Sequence, residues 1–175
     1  LAGKTLGIVG MGRIGQAVAS RARAFDMRVV VYDPFLAAER AGELGVELFG
    51  SVREMLPELD YLTVHTPLTD DTRHLIGKEE LSLLKPGVRV VNCARGGIYD
   101  EEALLEGLES GVLAGVALDV FETEPPEEKN PLLKNDKVFL SPHTAAFTEE
   151  CMTRMGKETI QNIFDFFDGN LENSK

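Results

Sequence analysis

Three polar side chains occur in stretches of the sequence that suit the oxidation of an alcohol or the reduction of a carbonyl group. Arg95 follows Asn92-Cys-Ala, Glu124 follows Asp119-Val-Phe-Glu-Thr, and His143 follows Leu140-Ser-Pro. An imidazole can exchange a proton with a hydroxyl group, and a carboxylate can orient that imidazole and stabilise its charged form. A guanidinium can hold a substrate carboxylate through paired hydrogen bonds. Each residue alone also has a plain structural explanation, so this hypothesis depends on their joint position.

A glycine-rich segment near the start of the chain has the spacing of a phosphate-binding turn. Gly10-Met-Gly12-Arg-Ile-Gly15 follows a short apolar run and opens a helical pattern. In this context Gly10 permits the tight turn, Gly12 lets a pyrophosphate approach the backbone, and Gly15 lets the helix pack against the strand. The N–H groups of Arg13 and Ile14 then face the phosphates at the helix N-terminus. A glycine turn that binds nothing is the alternative.

Asp33 ends the second predicted strand and lies about 20 residues after Gly10, the spacing of a carboxylate that accepts hydrogen bonds from an adenosine ribose. A 2′-phosphate at this point would meet a like charge. The following Pro34-Phe35 offers no arginine to hold such a phosphate, so the sequence favours NAD over NADP. The alternative is that Asp33 only forms the turn before Pro34.

The elements that must position these residues alternate between strands and helices. Apolar runs predict strands at 4–10, 28–32, 46–48, 61–64, 88–92, 113–118 and 137–140. Helical spacing and caps predict helices at 13–25, 36–44, 51–56, 79–84, 101–110 and 148–169. This order indicates an α/β fold, a doubly wound parallel sheet with helices on both faces. Ligand chemistry in such a sheet lies at the carboxyl ends of the strands.

The length of 175 residues predicts one domain, residues 1–175, and 43% hydrophobic with 27% charged residues is ordinary for a globular protein. The formal net charge of −11 disfavours nucleic acid and anionic membranes as partners. A small anionic ligand remains compatible with it. The chain begins at Leu1 without an initiator Met or a signal segment, so we expect a domain of a longer protein.

The cysteines, Cys93 and Cys151, are too few and too far apart to predict a disulfide framework or a metal site. We therefore expect no metal and a cytoplasmic location. Of the other candidates, we expect His74 to fill structure rather than perform chemistry. We expect the acidic loop 122–130, apart from Glu124, to be simply solvated.

Taken together, the motifs resemble the NAD-binding domain of the D-isomer-specific 2-hydroxyacid dehydrogenases, with the phosphoglycerate dehydrogenase branch among the nearest. The resemblance covers essentially the whole chain. It rests on the stretches Thr5–Gly15, Val64–Thr69, Val91–Gly97 with Asp100, Leu118–Pro125 and Ser141–Ala146. The segment His143–Phe147 departs from the glycine-containing version common in phosphoglycerate dehydrogenases, which leaves the particular substrate open.

The resemblance implies a Rossmann-type domain that binds NAD in an oxidoreductase. Hydride would pass between NAD and a D-2-hydroxy acid/2-keto acid pair of the 3-phosphoglycerate or the hydroxypyruvate/glyoxylate type. Arg95 would bind substrate, His143 would be the acid/base, and Glu124 would pair with His143. The implied cofactor contacts, beside the three glycines, are Arg13, Ile14, Asp33, Thr66, Pro67, Thr72, Cys93, Ala94, Arg95, Asp119, His143 and Ala145. His65 either lines the cofactor cleft or packs at its strand end.

The family's substrate domain is built largely from residues outside this chain, so we expect the 175-residue fragment to be nearly inactive. The resemblance also implies a homodimer, for which apolar residues from Tyr99 to Leu113 could supply a surface. One rival is a non-catalytic NAD(H)-sensing module like the corepressors that keep the same fold and dimerise. A second rival, a formate dehydrogenase, is disfavoured because Glu124 stands where that enzyme would carry glutamine.

Overall fold

The computed structural model describes residues 1–170, which fall into two compact units divided after Pro142. The first unit contains a seven-stranded sheet whose paired strands are all parallel. The strands are β1 Thr5–Val9, β2 Arg28–Tyr32, β3 Glu47–Leu48, β4 Tyr61–Val64, β5 Val88–Asn92, β6 Leu113–Leu118 and β7 Val138–Leu140. The α/β doubly wound fold is confirmed.

Helices connect the strands of the first unit, and one helix lies in the second. They are α1 Arg13–Ala24, α2 Ala38–Leu44, α3 Val52–Met55, α4 Lys78–Leu81, α5 Glu101–Ser110 and, in the second unit, α6 Glu149–Phe167. Short 3-10 helices cover Leu56–Glu58 and Pro131–Lys134, and the sequence predicted neither of them.

The sheet buries both of its faces because successive strand residues point to opposite sides. In β2, Val29 and Val31 join one hydrophobic cluster with Ile8 and Ala19, whereas Val30 joins a second cluster on the other face. Burial on both sides explains why β2 is an unbroken apolar run rather than an alternating one.

The strand order is β3-β2-β1-β4-β5-β6-β7. Strands β2 and β3 are therefore added on one side of β1, and after a reversal of direction strands β4 to β7 are added in sequence on its other side. In a parallel sheet, the carboxyl ends of the two strands at such a reversal border an open crevice where ligands bind. Gly10 follows β1 and His65 follows β4, so both lie at this crevice.

Helix α5 follows the prediction because both of its ends are specified locally. Asp100 accepts hydrogen bonds from the N–H groups of Glu102 and Ala103, at 2.9 and 3.2 Å. Gly111 ends the helix in the left-handed conformation, with φ of 81°. Helix α4 differs, because it ends at Leu81 rather than Leu84. The N–H groups of Leu83 and Leu84 bond to carbonyls three residues back, and these tighter turns replace the helix before Pro86.

The apolar residues between Tyr99 and Leu113 do not form a surface. Tyr99, Leu104, Leu108 and Leu113 are all at most 1% exposed and belong to the core cluster beneath α5. The expectation that they supply a dimer surface is therefore wrong. Their helical spacing faces inward onto the sheet, which already accounts for their apolar character.

The second unit begins at His143 and contains α6, capped by Thr148, whose Oγ1 accepts from the N–H of Cys151 at 3.2 Å. No residue of α6 is buried. Its predicted apolar positions, Met152, Met155, Ile160, Ile163, Phe164 and Phe167, are 46–79% exposed. Within residues 1–170, no helix has both the length and the apolar character needed to cross a bilayer.

Candidate functional site

The turn between β1 and α1 is shaped by two glycines that leave no room for a side chain. Gly10 has φ of 93°, and a Cβ there would lie 2.7 Å from the carbonyl oxygen of His65. A Cβ on Gly15 would lie 2.1 Å from the carbonyl oxygen of Gly10. Gly12 is different, because a Cβ there would meet nothing within 4 Å. Packing thus requires Gly10 and Gly15, whereas Gly12 borders open space.

The N-terminus of α1 borders the same open space. Its cap residue is Gly12, which provides no side-chain hydrogen bond, and the first turn contains no acidic residue. The first N–H groups of a helix have no partner within the helix, so those of Arg13 and Ile14 are available to an external acceptor. Together with the helix dipole, they form a site for a phosphate.

Asp33 fixes this turn from the end of β2. Its Oδ2 accepts a hydrogen bond from the N–H of Met11 at 2.7 Å, and its Oδ1 accepts from the N–H of Phe35 at 2.8 Å. Asp33 is therefore the turn former that the sequence offered as an alternative. The ribose role also remains open to it, because each carboxylate oxygen has a further lone pair for a hydroxyl group.

A cleft of about 470 Å³ opens between these elements at the reversal of strand order. Of the predicted cofactor residues, it is lined by Gly10, Gly12, Asp33, His65, Thr66, Pro67 and Thr72. The sequence interpretation missed Phe35, Thr69 and Leu75, which also line it. Phe35 directly follows Asp33-Pro34 in the sequence, and this proximity could have identified it. Its side chain is 95% exposed in the structure.

His65 and Thr66 follow β4 and face this cleft in different ways. Nε2 of His65 lies 3.1 Å from Oγ1 of Thr63, and burial lowers the pKa of His65, which favours a neutral ring. His65 thus both lines the cleft and packs at its strand end. Oγ1 of Thr66 is buried and has no hydrogen-bond partner among residues 1–170. A buried hydroxyl without a partner is costly, and a ligand in the cleft would supply one.

Thr72 shapes the wall of the cleft. Its Oγ1 donates to the carbonyl oxygen of Pro67 at 2.7 Å and accepts from the N–H of Thr69 at 2.8 Å. These bonds close the segment 67–72 into a turn. The structure therefore gives Thr72 a local structural role in addition to its place on the cleft wall.

The segment after β5, which carries Arg95, is held by a residue that the sequence interpretation missed. The buried Asn92 accepts from the N–H of Ala94 at 3.0 Å and donates to the carbonyl oxygen of Arg95 at 2.9 Å. Its position as a polar residue ending a buried strand was the available signal. Arg95 itself is exposed, and its guanidinium donates to the carbonyl oxygen of Ala94.

Cys93 is also exposed as a residue. Partial burial of its thiol and, to a lesser extent, the negative charge of Asp119 raise the pKa of Cys93.

Asp119 links the ends of the last three strands. It is 2% exposed, its N–H donates to the carbonyl oxygen of Asn92 at 2.9 Å, and its Oδ1 accepts from Oγ of Ser141. A carboxylate this buried needs such donors. Asp119 thus stands at the same sheet edge as Arg95 and is not among the residues that line the cleft.

The three predicted catalytic residues are divided between the two units. Arg95 and Glu124 belong to the first, where Oε1 of Glu124 accepts from the N–H of Phe121 at 3.1 Å. His143 and Ala145 belong to the second, and His143 has a left-handed backbone with φ of 54°. Their joint action stays a prediction. Within residues 1–170, no group of three or more His, Cys, Asp or Glu is placed to hold a metal ion.

These features define a class of protein. A parallel sheet in this order carries an open glycine turn, an uncapped helix N-terminus and a strand-end carboxylate at its reversal point. That combination is a dinucleotide-binding domain of the Rossmann type. The open space at Gly12 and the unpartnered hydroxyl of Thr66 both fit a bound dinucleotide.

Comparison with known proteins identifies the family. Residues 1–145 match the family model described as D-isomer specific 2-hydroxyacid dehydrogenase, NAD binding domain. The chain therefore belongs to this family and is its NAD-binding domain. D-3-phosphoglycerate dehydrogenase of Bacillus subtilis (strain 168) is 51% identical over 169 residues, which are 97% of this chain and 32% of the relative. Glyoxylate reductase of Korarchaeum cryptofilum (strain OPF8) is 44% identical over 169 residues, 97% of this chain and 51% of the relative.

The solved structures agree with the curated relatives. D-lactate dehydrogenase from Aquifex aeolicus, complexed with NAD and lactic acid, superposes with a TM-score of 0.84 at 35% identity. The match covers 95% of this chain and 54% of that one. The chain thus spans about a third of the length of the phosphoglycerate dehydrogenase and about half of the lactate dehydrogenase. NAD is the cofactor of the family to which this domain belongs.

Proposed function

We propose that this domain serves an NAD-dependent dehydrogenase that interconverts a D-2-hydroxy acid and its 2-keto acid. The observation that carries the proposal is the crevice between β1 and β4, with its open glycine turn, the carboxylate of Asp33 and the unpartnered hydroxyl of Thr66. The names of the relatives suggest 3-phosphoglycerate first and glyoxylate second as substrates, and the family resemblance adds hydroxypyruvate.

NAD, when bound, supplies the hydride acceptor for the C2 carbon of the substrate. Backbone N–H groups of Arg13 and Ile14 hold its pyrophosphate, and Asp33 accepts from its adenosine ribose. Asp119, at the carboxyl end of β6, would contact the nicotinamide end, as the family resemblance implies. The support for these roles is the position of each residue at the carboxyl edge of the sheet.

The reaction itself is assigned to Arg95, Glu124 and His143. We propose that His143 takes the hydroxyl proton during oxidation and returns it during reduction. Glu124 favours the charged form of that imidazole, and Arg95 holds the substrate carboxylate. The sequence stretches around the three residues support this assignment. For Arg95, the hydrogen bonds of Asn92 add support, because they hold the segment in a defined conformation.

The test uses the full-length protein with NAD and each candidate substrate. His143→Gln should lower kcat by about two to four orders of magnitude, the usual effect of losing a positioned acid/base. Arg95→Ala should raise KM for the acid while the affinity for NAD changes little. Arg53→Ala is the matched control, because Arg53 is an exposed residue that pairs with Glu79 and Glu80, outside the residues assigned to the reaction. Full activity of His143→Gln would refute the assignment.

Glu124→Gln distinguishes the role of the carboxylate. Loss of a negative charge beside an imidazole disfavours its protonated form, so the pH–rate profile should move to more acidic values without loss of NAD binding. A full-length protein that binds NAD yet oxidises none of these acids would instead favour an NAD(H)-sensing module.

We also propose a homodimer in the cytoplasm. The dimer rests on the family resemblance alone, since the residues from Tyr99 to Leu113 are core. The free thiols of Cys93 and Cys151 are compatible with a reducing compartment. Sedimentation at tens of micromolar that shows only a monomer would refute the dimer.

The net charge of −11 predicts that the protein does not bind nucleic acid or anionic membranes.

A further inference from the structure

His74 connects the two segments of the first unit that carry Arg95 and Glu124. Its N–H donates to the carbonyl oxygen of Gly97 at 2.7 Å, two residues after Arg95. Its Nε2 lies 3.1 Å from Oε1 of Glu122, two residues before Glu124. An ionised carboxylate can only accept, so the imidazole donates this hydrogen bond. The side chain of His74 is 43% exposed, so its structural role consists of forming these hydrogen bonds rather than filling space.

The backbone of His74 is held in an uncommon conformation. Its φ is 50°, in the left-handed region that residues other than glycine adopt only where the surroundings stabilise it. Here the two hydrogen bonds, one from the backbone and one from the ring, point to different segments. The conformation therefore lets a single residue bond both segments at once.

Glu122 extends the connection to α5, so the acidic loop is not simply solvated. Its Oε1 also accepts from the N–H of Glu101 at 3.1 Å, and its own N–H donates to Oε1 of Glu101 at 2.7 Å. Asn130 donates to Oε2 of Glu101 at 2.7 Å, which fastens the far end of the loop. An isolated exposed ion pair contributes little, but a reciprocal set of bonds at a helix N-terminus defines a geometry.

Close packing transmits this geometry to the neighbouring segments. A Cβ on Gly96 would lie 1.7 Å from the carbonyl oxygen of Phe121, so the two backbones touch between Arg95 and Glu122. The N–H of Phe121 in turn donates to Oε1 of Glu124. A shift of Glu122 would therefore displace both the Glu124 carboxylate and the backbone of Gly96, which is next to Arg95.

We infer that His74 is a positioning residue, whose bond to Glu122 sets the loop that carries Glu124 beside the segment that carries Arg95. The inference rests on the proposed function, because it assigns His74 an effect on the reaction of those two residues. It predicts that the side chain of His74 influences kcat/KM for the hydroxy acid and leaves the affinity for NAD alone.

The experiment compares His74→Gly and His74→Gln in the full-length protein. Glycine accepts the left-handed backbone but lacks the donor, so kcat/KM should fall about tenfold, with the Kd for NAD unchanged within about twofold. Glutamine restores an N–H donor of similar reach and should recover most of the loss. Lys129→Ala is the control, because Lys129 pairs with Glu127 in the same loop, outside the connection. Equal kcat/KM in wild type and His74→Gly would overturn the inference.

A double variant separates positioning from a general loss of structure. If His74 acts through Glu124, then His74→Gly should cause little further loss in a Glu124→Gln background, whereas independent effects would multiply. Multiplying effects overturn the inference. If the wild-type protein oxidises none of the acids, the proposed function fails instead. In that case, hydrogen exchange of the Phe121 amide tests whether His74 positions the loop that carries Glu124. We expect faster exchange in His74→Gly than in the wild type. An unchanged exchange rate would overturn the positioning role as well.

Discussion

The carboxylate of Asp33 holds the backbone N–H of Met11 at 2.7 Å, which ties the end of β2 to the middle of the glycine turn. The residue that the sequence assigns to the ribose is therefore also part of the scaffold for the pyrophosphate. One side chain sets the relative position of two parts of the same dinucleotide site. Substitutions at Asp33 must consequently be interpreted through both the turn and the ribose contact.

Asp33→Ala should lower the affinity for NAD by about ten- to hundredfold, because hydrogen bonds to a charged group are among the stronger ones. Asp33→Asn keeps one of the two oxygen acceptors of the turn and removes the charge that opposes a 2′-phosphate. Asp33→Asn should therefore reduce the ratio of the Kd for NADP to the Kd for NAD, while it disturbs the turn less than Asp33→Ala does. Calorimetric titration of both cofactors checks this. Equal affinities of the wild type, or an unchanged preference in Asp33→Ala, would contradict the role of Asp33.

Thr66→Val should separate stability from cofactor binding. Valine has nearly the shape of threonine and removes a buried hydroxyl that has no partner, so the free energy of unfolding should stay the same or rise by about 1 kcal/mol. If NAD supplies the missing partner, its affinity should fall by about three- to tenfold. Thr66→Ser keeps the hydroxyl and serves as the control. Unchanged NAD affinity in Thr66→Val would show that the hydroxyl does not contact the cofactor.

Much of the fold could be predicted because its signals are local. The strand β5 is a valine-rich run with the expected bounds, 88–92, and α5 has Asp100 and Gly111 at its ends. The early end of α4 was harder, because residues 82–84 keep a helical composition while their hydrogen bonds tighten. The exposure of α6 was also hidden, because an apolar stripe predicts a partner without identifying it.

The candidate site could be predicted in part for a related reason. The glycine spacing and the strand-end position of Asp33 are visible along the chain, and the cleft confirms that these residues come together. The bonds of Asn92 and the bond between His74 and Glu122 were not visible. His74 and Glu122 are 48 residues apart, and such pairing depends on tertiary packing rather than on periodicity.

Asp60 makes the stability of the sheet depend on pH. Its Oδ2 accepts from the N–H of Thr5 at 2.8 Å, and its Oδ1 lies 3.1 Å from Nζ of Lys85. The bond from Thr5, and then the charges of Lys85 and Lys4, hold the pKa of Asp60 below its usual range. Ionised Asp60 therefore stabilises the fold above its unfolded pKa of about 3.9, and this contribution is lost as pH falls through the lower folded pKa.

Asp60→Asn should therefore reduce the free energy of unfolding by about 1–2 kcal/mol at neutral pH. The difference from the wild type should narrow as the pH falls below about 4. Urea unfolding at a series of pH values measures both quantities. Asp136→Asn, at an exposed position before β7, is the control and should change little. A difference that is constant down to the lowest pH would mean that the Asp60 charge is not responsible.

Gly12→Ala and Gly15→Ala form a matched pair within one turn. A Cβ at Gly12 meets nothing in the protein, whereas at Gly15 it would lie 2.1 Å from a backbone oxygen that cannot move without shifting β1 or α1. Gly12→Ala should thus fold with a free energy of unfolding within about 1 kcal/mol of wild type, the scale of a change at a helix cap. Its methyl group would occupy the space where the pyrophosphate approaches, so NAD affinity should fall by more than about tenfold.

Gly15→Ala should behave in the opposite way. Alanine gains about 1 kcal/mol in helix propensity over glycine, but overpacking against the backbone costs about 1–3 kcal/mol or more, so the net effect should be a loss of stability. Chemical unfolding and calorimetric titration of both variants give the two readouts. Gly15→Ala should therefore lose more stability than Gly12→Ala in chemical unfolding. Gly12→Ala should lose more NAD affinity than Gly15→Ala in the titration. If Gly12→Ala bound NAD as tightly as the wild type, the open space at Gly12 would not be where the cofactor lies.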